Sequence, residues 1–308
     1  MPTKKKRTAK PTVSIIGAGR LGTAIAIALS RSGYKVVSLV GRRRPQVRKA
    51  AAILDGPCEL LVAKEITRYT PAELVIVAVP DDSIAEISDA LDQIQQPKRH
   101  RSTVLHTSGA LSSAVFRNLK TKGWYTGSLH PLISVSDPQV GATAFRTSFW
   151  CVEGDTNALR LARQVVRDVG GSSFTINSKD KPLYHAAAVM SSGNVIALFD
   201  VALEILERCG LERRQAQKVL LPLLQSTVSN LFSLSPETSM TGPFSRGDLA
   251  TVRLHTLAIS EKGLAEALEI YRLLGRRSLK LSARGLPPDV VEKILRVLRE
   301  SYSPKVTT

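Results

Sequence analysis

Thr12-Val13-Ser14-Ile15-Ile16-Gly17-Ala18-Gly19-Arg20-Leu21-Gly22 is the stretch whose reading decides the fold. A short β-branched run leads straight into a Gly-x-Gly-x-x-Gly turn. Residues Leu21 to Ser32 then carry apolar side chains at Leu21, Ala24, Ile25, Ala28 and Leu29, the spacing of one helix face, and Gly33 stops them. Lys35-Val36-Val37-Ser38-Leu39-Val40 follows as the next strand. Strand, glycine turn, helix and strand in this order form the setting a dinucleotide fingerprint requires. In it Gly17 permits the tight turn, Gly19 lets the backbone approach a pyrophosphate, and Gly22 lets the helix pack close to the strand. The helix N-terminus offers free N–H groups and a partial positive charge to the phosphates. Gly17, Ala18, Gly19, Arg20, Leu21 and Gly22 are therefore candidate cofactor-binding residues.

The end of the second strand selects among dinucleotides. An acidic residue there grips a ribose 2′-hydroxyl, whereas this chain has Gly41-Arg42-Arg43-Arg44. A carboxylate would repel a 2′-phosphate and guanidinium groups would bind it, so Arg42 and Arg43 predict NADP(H). More strands are expected at Glu59–Val62, Leu74–Pro80, Thr103–His106, Thr126–Leu129, Phe149–Glu153 and Ser173–Ile176. The run from Leu74 is continuously apolar, as suits a central parallel strand covered on both faces. Val79, Pro80 and His106 fall at carboxyl ends of strands, the edge where doubly wound sheets bind ligands, and join the cofactor candidates. The expected architecture is a Rossmann-type doubly wound parallel sheet over residues 11–177.

From Lys181 onward the strand signal stops. Helices are expected at Lys181–Cys209, Arg213–Leu231, Leu249–Leu274 and Pro288–Ser301, with an irregular loop from Ser235 to Asp248 whose last residue can cap the following helix. An all-α domain over 178–302 results, flanked by a basic tail at 1–10 and a short tail at 303–308. This order predicts a site in a cleft between the domains and a homodimer paired through the helices.

The composition is that of a globular chain: 308 residues, 43% hydrophobic and 22% charged. No uninterrupted apolar stretch of membrane-spanning length is expected, nor a signal peptide behind the basic start, so the chain is read as cytoplasmic. Cys58, Cys151 and Cys209 lack metal-ligand spacing; they fit a reducing compartment and pack as small apolar groups, and no metal site is expected. The net charge of +17 raises nucleic acid as a partner, but Lys4-Lys5-Lys6-Arg7 carries no interleaved aromatics and reads as a solvated leader. An anionic small molecule is the expected partner.

Several segments resemble one bacterial family: His106-Thr107-Ser108-Gly109-Ala110, Gly127-Ser128-Leu129-His130-Pro131, Tyr184-His185-Ala186-Ala187-Ala188, and Thr241-Gly242-Pro243 with Arg246-Gly247-Asp248. That family pairs a Rossmann-like NADP-binding domain with a C-terminal domain of unknown function. It is related to ketopantoate reductase, pyrroline-carboxylate reductase and the hydroxyacid dehydrogenases. The resemblance covers about Thr12 to Leu274 and implies an NADP-dependent oxidoreductase. In the hydroxyacid and ketopantoate branches the first interdomain helix carries Lys and, four residues on, Asn; here the pair is Lys181 and His185, and the nearest Asn is Asn194.

Reduction of a carbonyl leaves negative charge on oxygen, so the site needs a donor and an acid. Lys181 and His185, one helical turn apart, can share a face, and with His130 they are the candidate catalytic residues. Ser108 and Asn194 are candidate substrate ligands, as are Arg246, a cation for a carboxylate, and Asp248. His255 also sits in a motif-like segment, whereas His100 reads as surface and Asp81-Asp82 as the cap of a helix starting at Ser83. The leading expectation is an NADPH-dependent reductase of a small 2-oxo acid such as ketopantoate. The rivals are a pyrroline-carboxylate type imine reductase and a non-catalytic NADP(H) sensor.

Overall fold

The computed structural model describes residues 10–54, 56–96 and 101–299. The basic leader at Lys4–Arg7, His100 and the tail expected from 303 lie outside them. The chain divides into two compact units, Met1–Ser192 and Gly193–Thr308.

Among the described residues the first unit holds eight strands: β1 Val13–Ile16, β2 Val36–Gly41, β3 Glu59–Val62, β4 Leu74–Val77, β5 Thr103–His106, β6 Tyr125–Pro131, β7 Phe149–Gly154 and β8 Ser172–Phe174. They form one sheet in the order β3-β2-β1-β4-β5-β6-β7-β8. β1 to β6 are parallel, and β8 is parallel to β7. The doubly wound parallel sheet expected from the sequence is thus present, with one exception: β7 runs antiparallel to β6, with Leu129 opposite Val152. The reason lies in helices α1 Arg20–Arg31, α2 Arg44–Ala51, α3 Asp81–Asp92, α4 Arg117–Thr121 and α5 Pro138–Ala144. The chain between β6 and β7 is spent on α5, whose Gly141 sits against Ala24 of α1, so it never crosses to the far edge of the sheet.

Alternation along the strands builds two cores. Ile15, Leu39, Ile76, Leu105 and Leu129 face one side, with Ala24, Ile25 and Ala28 of α1. Ile16, Val40, Val75, Val77 and Val104 face the other, with Ile84, Phe116 and Trp124. Helix α6, Thr156–Asp168, buries Ala158, Ala162, Val165 and Val166, one stripe of a 3.6-residue period, and Asp155 caps it by accepting from the amides of Asn157 and Ala158. Because the central strands β1, β4 and β5 are buried on both faces, they meet a ligand at their ends.

Helix α7, Lys181–Met190, belongs to this unit, so the unit runs beyond the boundary near 177 read from the sequence. The long helix expected over Lys181–Cys209 breaks at Ser191-Ser192. Their hydroxyls donate back to the carbonyls of Ala187 and Ala188, and Gly193 follows.

The second unit contains α8 Gly193–Arg208, α9 Arg213–Asn230, α10 Pro236–Ser239, α11 Pro243–Arg246, α12 Leu249–Glu261, α13 Ala265–Ser282 and α14 Pro288–Arg299. The helix expected over Leu249–Leu274 is two, divided at Gly263, whose φ of 70° a side chain would strain. Its core is Phe244, Val252, Leu279, Ile294, Val297 and Leu298. One stretch, Ser178–Arg208, is by length and composition apolar enough to cross a membrane, with a mean hydropathy of 1.6 over its best window, although Gly193 interrupts it. Only 6% of that window is buried, and the stretch is divided between α7 and α8.

Candidate functional site

The sheet order reverses between β1 and β4, and the Gly17–Gly22 turn sits at that switch point. Gly17 has φ of 117°, and a Cβ on it would lie 2.1 Å from the Ala78 carbonyl oxygen. A Cβ on Gly22 would lie 1.9 Å from the carbonyl oxygen of Gly17. Both glycines are demanded by packing. Gly19 is different: a Cβ there would meet nothing within 4 Å, so the space in front of it is open. It caps α1 with no side-chain hydrogen bond and no acidic residue in the first turn, leaving amides free for an anion. Ala18 is buried, Leu21 half-buried and Arg20 exposed. At the end of β2, Arg42 and Arg43 are exposed, whereas Arg44 is paired with Glu65. Val79 and Pro80 continue β4 into the start of α3 beside this turn. The residues present fit a dinucleotide carrying a 2′-phosphate.

The turn after β5 is a closed polar knot. His106 is fully buried; its Nδ1 accepts from the Ser108 amide at 3.2 Å and its ring meets Phe116 edge-on. Burial, with the nearby Lys181 charge, pushes the imidazole down to about 3. Ser108 Oγ donates to Asp81 at 2.8 Å and accepts from the amides of Ala110 and Leu111. Lys181 is 0% exposed, and its Nζ donates to the Ser108 carbonyl at 3.1 Å and to Ser128 Oγ at 2.7 Å. These placements correct three sequence expectations. His106 Nδ1 and Ser108 Oγ are used inside the turn instead of on cofactor and substrate, His106 Nε2 is buried without a hydrogen-bond partner among the described residues, and Lys181 braces that turn from behind. Asp81 also changes role: α3 begins at Asp81 itself, and the carboxylate holds Ser108.

On the outer side of the knot three rings gather. His130, on β6, places Nδ1 2.7 Å from the hydroxyl of Tyr184 on α7. The rings of His130 and His185 lie 5.3 Å apart at 86°. Both rest on Gly109, where a Cβ would fall 2.3 Å from His185 Nδ1 and 2.9 Å from His130 Nε2. His185 Nδ1 is buried with no hydrogen-bond partner among the described residues. Burial, then the charges of His185 and Lys181, pushes His130 down to about 4, so it is neutral near pH 7. Burial raises the Tyr184 phenol, and neighbouring Cys151 raises it further, so the hydroxyl keeps its proton. An imidazole nitrogen is a better acceptor than a thiol, so Tyr184 donates to Nδ1 and His130 carries its own proton on Nε2. His130, Tyr184 and His185 border an open cavity of about 680 Å³.

Sequence reasoning found the two histidines and missed Tyr184. The signal was its place beside His185 in the same segment, three residues after Lys181. Asn194, Arg246 and Asp248 belong to the second unit. Asn194 is exposed at the start of α8, Arg246 ends α11, and Asp248 caps α12 by accepting from the Thr251 amide and hydroxyl. His255 bonds the Tyr271 hydroxyl at 2.9 Å in that unit. Of the cysteines Cys151 is buried, Cys58 half-buried and Cys209 exposed, so the expected packing role fails for Cys209. Among the described residues no group of three or more His, Cys, Asp or Glu could hold a metal ion.

Comparison with known proteins matches residues 2–131 to a Rossmann-like domain and residues 148–278 to a domain of unknown function, DUF2520. A protein from Thermotoga maritima of known structure is 22% identical, with a TM-score of 0.69 over 89% of this chain and 99% of that one. A reductive aminase from Aspergillus terreus, solved with NADPH and ethyl-5-oxohexanoate, is 16% identical, with a TM-score of 0.60 over 92% of this chain and 98% of that one. These likenesses establish the fold. A glycerol-3-phosphate dehydrogenase [NAD(P)+] from Thermoanaerobacter is 32% identical over 91 residues, a span of only 27% of either chain.

Proposed function

Because this chain carries a Rossmann-like domain followed by DUF2520, we propose that it is an NADPH-dependent oxidoreductase that reduces a C=O or C=N bond beside His130 and His185. The observation that carries this reading is the Gly17–Gly22 turn, where two glycines are required by packing and Gly19 alone leaves open space in front of free helix amides. Arg42 and Arg43, with no carboxylate beside them at the end of β2, favour the 2′-phosphate of NADPH over the bare ribose of NADH.

When bound, the dinucleotide supplies hydride to the carbon of the polar double bond. The chain's own residues handle the proton. His130 offers Nε2–H to the oxygen or nitrogen that gains electrons, and Tyr184 replaces that proton at Nδ1. The proton lost from Tyr184 is restored from water through the open cavity. Lys181 acts by positioning, since it holds the turn that ends in Gly109 against both rings.

The imine and 2-oxo acid readings differ in what the site must offer. A carboxylate needs a cation, and the candidate, Arg246, is a residue of the second unit. The likeness to a reductive aminase favours a C=N substrate.

The test is parallel titration of the purified protein with NADPH and NADH. NADPH is expected to bind at least tenfold more tightly, and Arg42→Ala with Arg43→Ala to erase that preference. Binding of neither nucleotide would overturn the reading, and binding without turnover of any ketone, oxo acid or imine would leave a sensor.

A second copy of the chain is the proposed partner. Helix α9 buries only Ala216 among its eighteen residues, and α8 beside it exposes Ile196 and Leu198. Apolar surface of this extent on a two-helix hairpin marks an interface.

A further inference from the structure

The cavity beside His130 is built by the first unit alone. The loop after β6 contributes Leu132 and Ile133, β8 contributes Phe174, and α7 contributes Ala187, Ala188 and Val189. Among the described residues around it there is no Lys, Arg, Asp or Glu. The serines add no charge: Ser191 and Ser192 turn their hydroxyls onto the last turn of α7, and Ser134 is an exposed hydroxyl of the loop after β6. The charges nearest in sequence are used elsewhere: Lys181 is enclosed and bonded to Ser108 and Ser128. Polar side chains able to meet a substrate are thus His130, Tyr184 and His185, with the hydroxyl of Ser134 on the loop after β6. A volume of about 680 Å³ lies within the ~300–1,000 Å³ common for small-molecule sites.

An apolar chamber with a few placed hydrogen-bonding groups orients a ligand by its chemistry. The polar double bond goes to the histidines and the hydrocarbon goes into the chamber. A carboxylate on the adjoining carbon would be drawn into apolar surroundings with no cation to compensate it, a desolvation penalty that an uncharged group does not carry. We propose that the substrate of this site is an uncharged ketone, aldehyde or imine bearing an apolar substituent of branched-alkyl or ring size, seated between Ile133, Phe174 and Ala188. The proposal rests on the reductase reading for the reaction, but the binding it asserts belongs to the cavity itself. Reduction balances as written above: hydride adds to carbon, the π-electron pair moves to oxygen or nitrogen, and the proton comes through His130.

The experiment uses the full chain, with NADPH present and absent. The probes are methyl isobutyl ketone, its N-methyl imine formed in excess methylamine, and the 2-oxo acid with the same isobutyl group. Binding is followed by the alanine methyl resonances of Ala187 and Ala188, and turnover by NADPH oxidation. The ketone and imine are expected to shift both methyls and to bind at least tenfold more tightly than the acid. Ala188→Phe, which fills the chamber, is expected to weaken ketone binding at least tenfold and leave NADPH affinity within twofold. Ala188→Arg is expected to move preference toward the acid. Stronger binding of the acid in the unaltered chain, abolished by Arg246→Ala, would overturn the proposal, as would ketone binding indifferent to Ala188→Phe. If NADPH fails to bind while the ketone still shifts the methyls and loses them in Ala188→Phe, the reductase reading falls and the apolar site stands.

Discussion

The hydroxyl of Tyr184 lies 2.7 Å from Nδ1 of His130, so the first turn of α7 decides which nitrogen of a strand residue carries the proton. That contact gives the ring a fixed direction: Nδ1 toward the helix, Nε2 on the side of Gly109. Tyr184→Phe keeps the ring packing against Phe174 and removes only the hydroxyl. It is expected to lower kcat about tenfold, below the ~10²–10⁴-fold reach of a full acid–base group, because water can replace the relay. Nitrogen-resolved NMR of His130 should show the Nε2–H tautomer in the unaltered protein and a mixture in Tyr184→Phe. An unchanged tautomer and pH profile would assign Tyr184 to packing alone.

Gly109 gives a sharper cut. Its φ is not in the left-handed region, so Ala is tolerated by the backbone, yet a Cβ would press on His185 Nδ1 at 2.3 Å and on His130 at 2.9 Å. Gly109→Ala is expected to displace both rings, cut turnover at least a hundredfold and leave NADPH affinity within twofold. Equal loss of cofactor affinity would mean that the two loops move as one.

The fold was legible because its determinants are local. The β-branched run before Gly17, the apolar face from Leu21 and the continuous run from Leu74 each name their element within a dozen residues. β3 and β5 fall on the bounds read from the sequence. The reversal of β7 was not legible, since it depends on α5 packing against α1. The same division holds at the site. His130 and His185 carry chemistry that residue type alone announces. The roles of Lys181, Ser108 and His106 depend on which way each side chain is enclosed, and spacing does not encode that. A Lys four residues before a His reads as a shared face; only the fold shows its amine tied to Ser108 and Ser128.

Acid stability follows from the two neutral histidines. His106 is pushed down to about 3 and His130 to about 4, from an unfolded value near 6.5. Well above pH 7 both are neutral in either state and contribute no dependence. Between pH 6.5 and 4 the unfolded chain takes up two protons that the folded chain refuses, so stability falls as pH falls. The loss stops growing for His130 below about 4 and for His106 below about 3. Urea unfolding from pH 7 to 4 is expected to show this slope, and His130→Gln to remove its share. A slope unaltered by His130→Gln would place the titrating groups elsewhere.

Lys181→Met separates bracing from chemistry. The thioether occupies much of the same volume but leaves the Ser108 carbonyl and Ser128 hydroxyl without the amine they share. Each unsatisfied buried group costs about 1–3 kcal/mol, offset in part because a buried ammonium no longer has to be desolvated. A net loss of about 1–3 kcal/mol in thermal or urea unfolding is the expected outcome. Residual turnover should keep the unaltered protein's pH profile, because His130 and Tyr184 remain. Complete loss of turnover in a folded variant, restored by added alkylamine, would make Lys181 a proton donor after all.

The α8–α9 hairpin supplies the last prediction. Ile196 is 69% exposed, Leu223 63% and Phe232, just past α9, 87%. Apolar side chains cover most sides of α9, so no single neighbouring face would shield them, and an intertwined partner would. A second copy brings the same hairpin, and in a two-fold arrangement each exposed residue is used twice. Paired hairpins of this length can bury the ~1,200 Å² or more that stable dimers need. Light scattering at micromolar concentration is therefore expected to give twice the chain mass. Ile196→Glu with Leu223→Glu, placing four carboxylates in the interface, is expected to give monomers that still bind NADPH. The apolar Ser178–Arg208 stretch sets the alternative outcome. A chain that is monomeric without lipid and sediments with neutral phosphatidylcholine vesicles, losing that in the double variant, would assign the same surface to a bilayer and overturn the dimer.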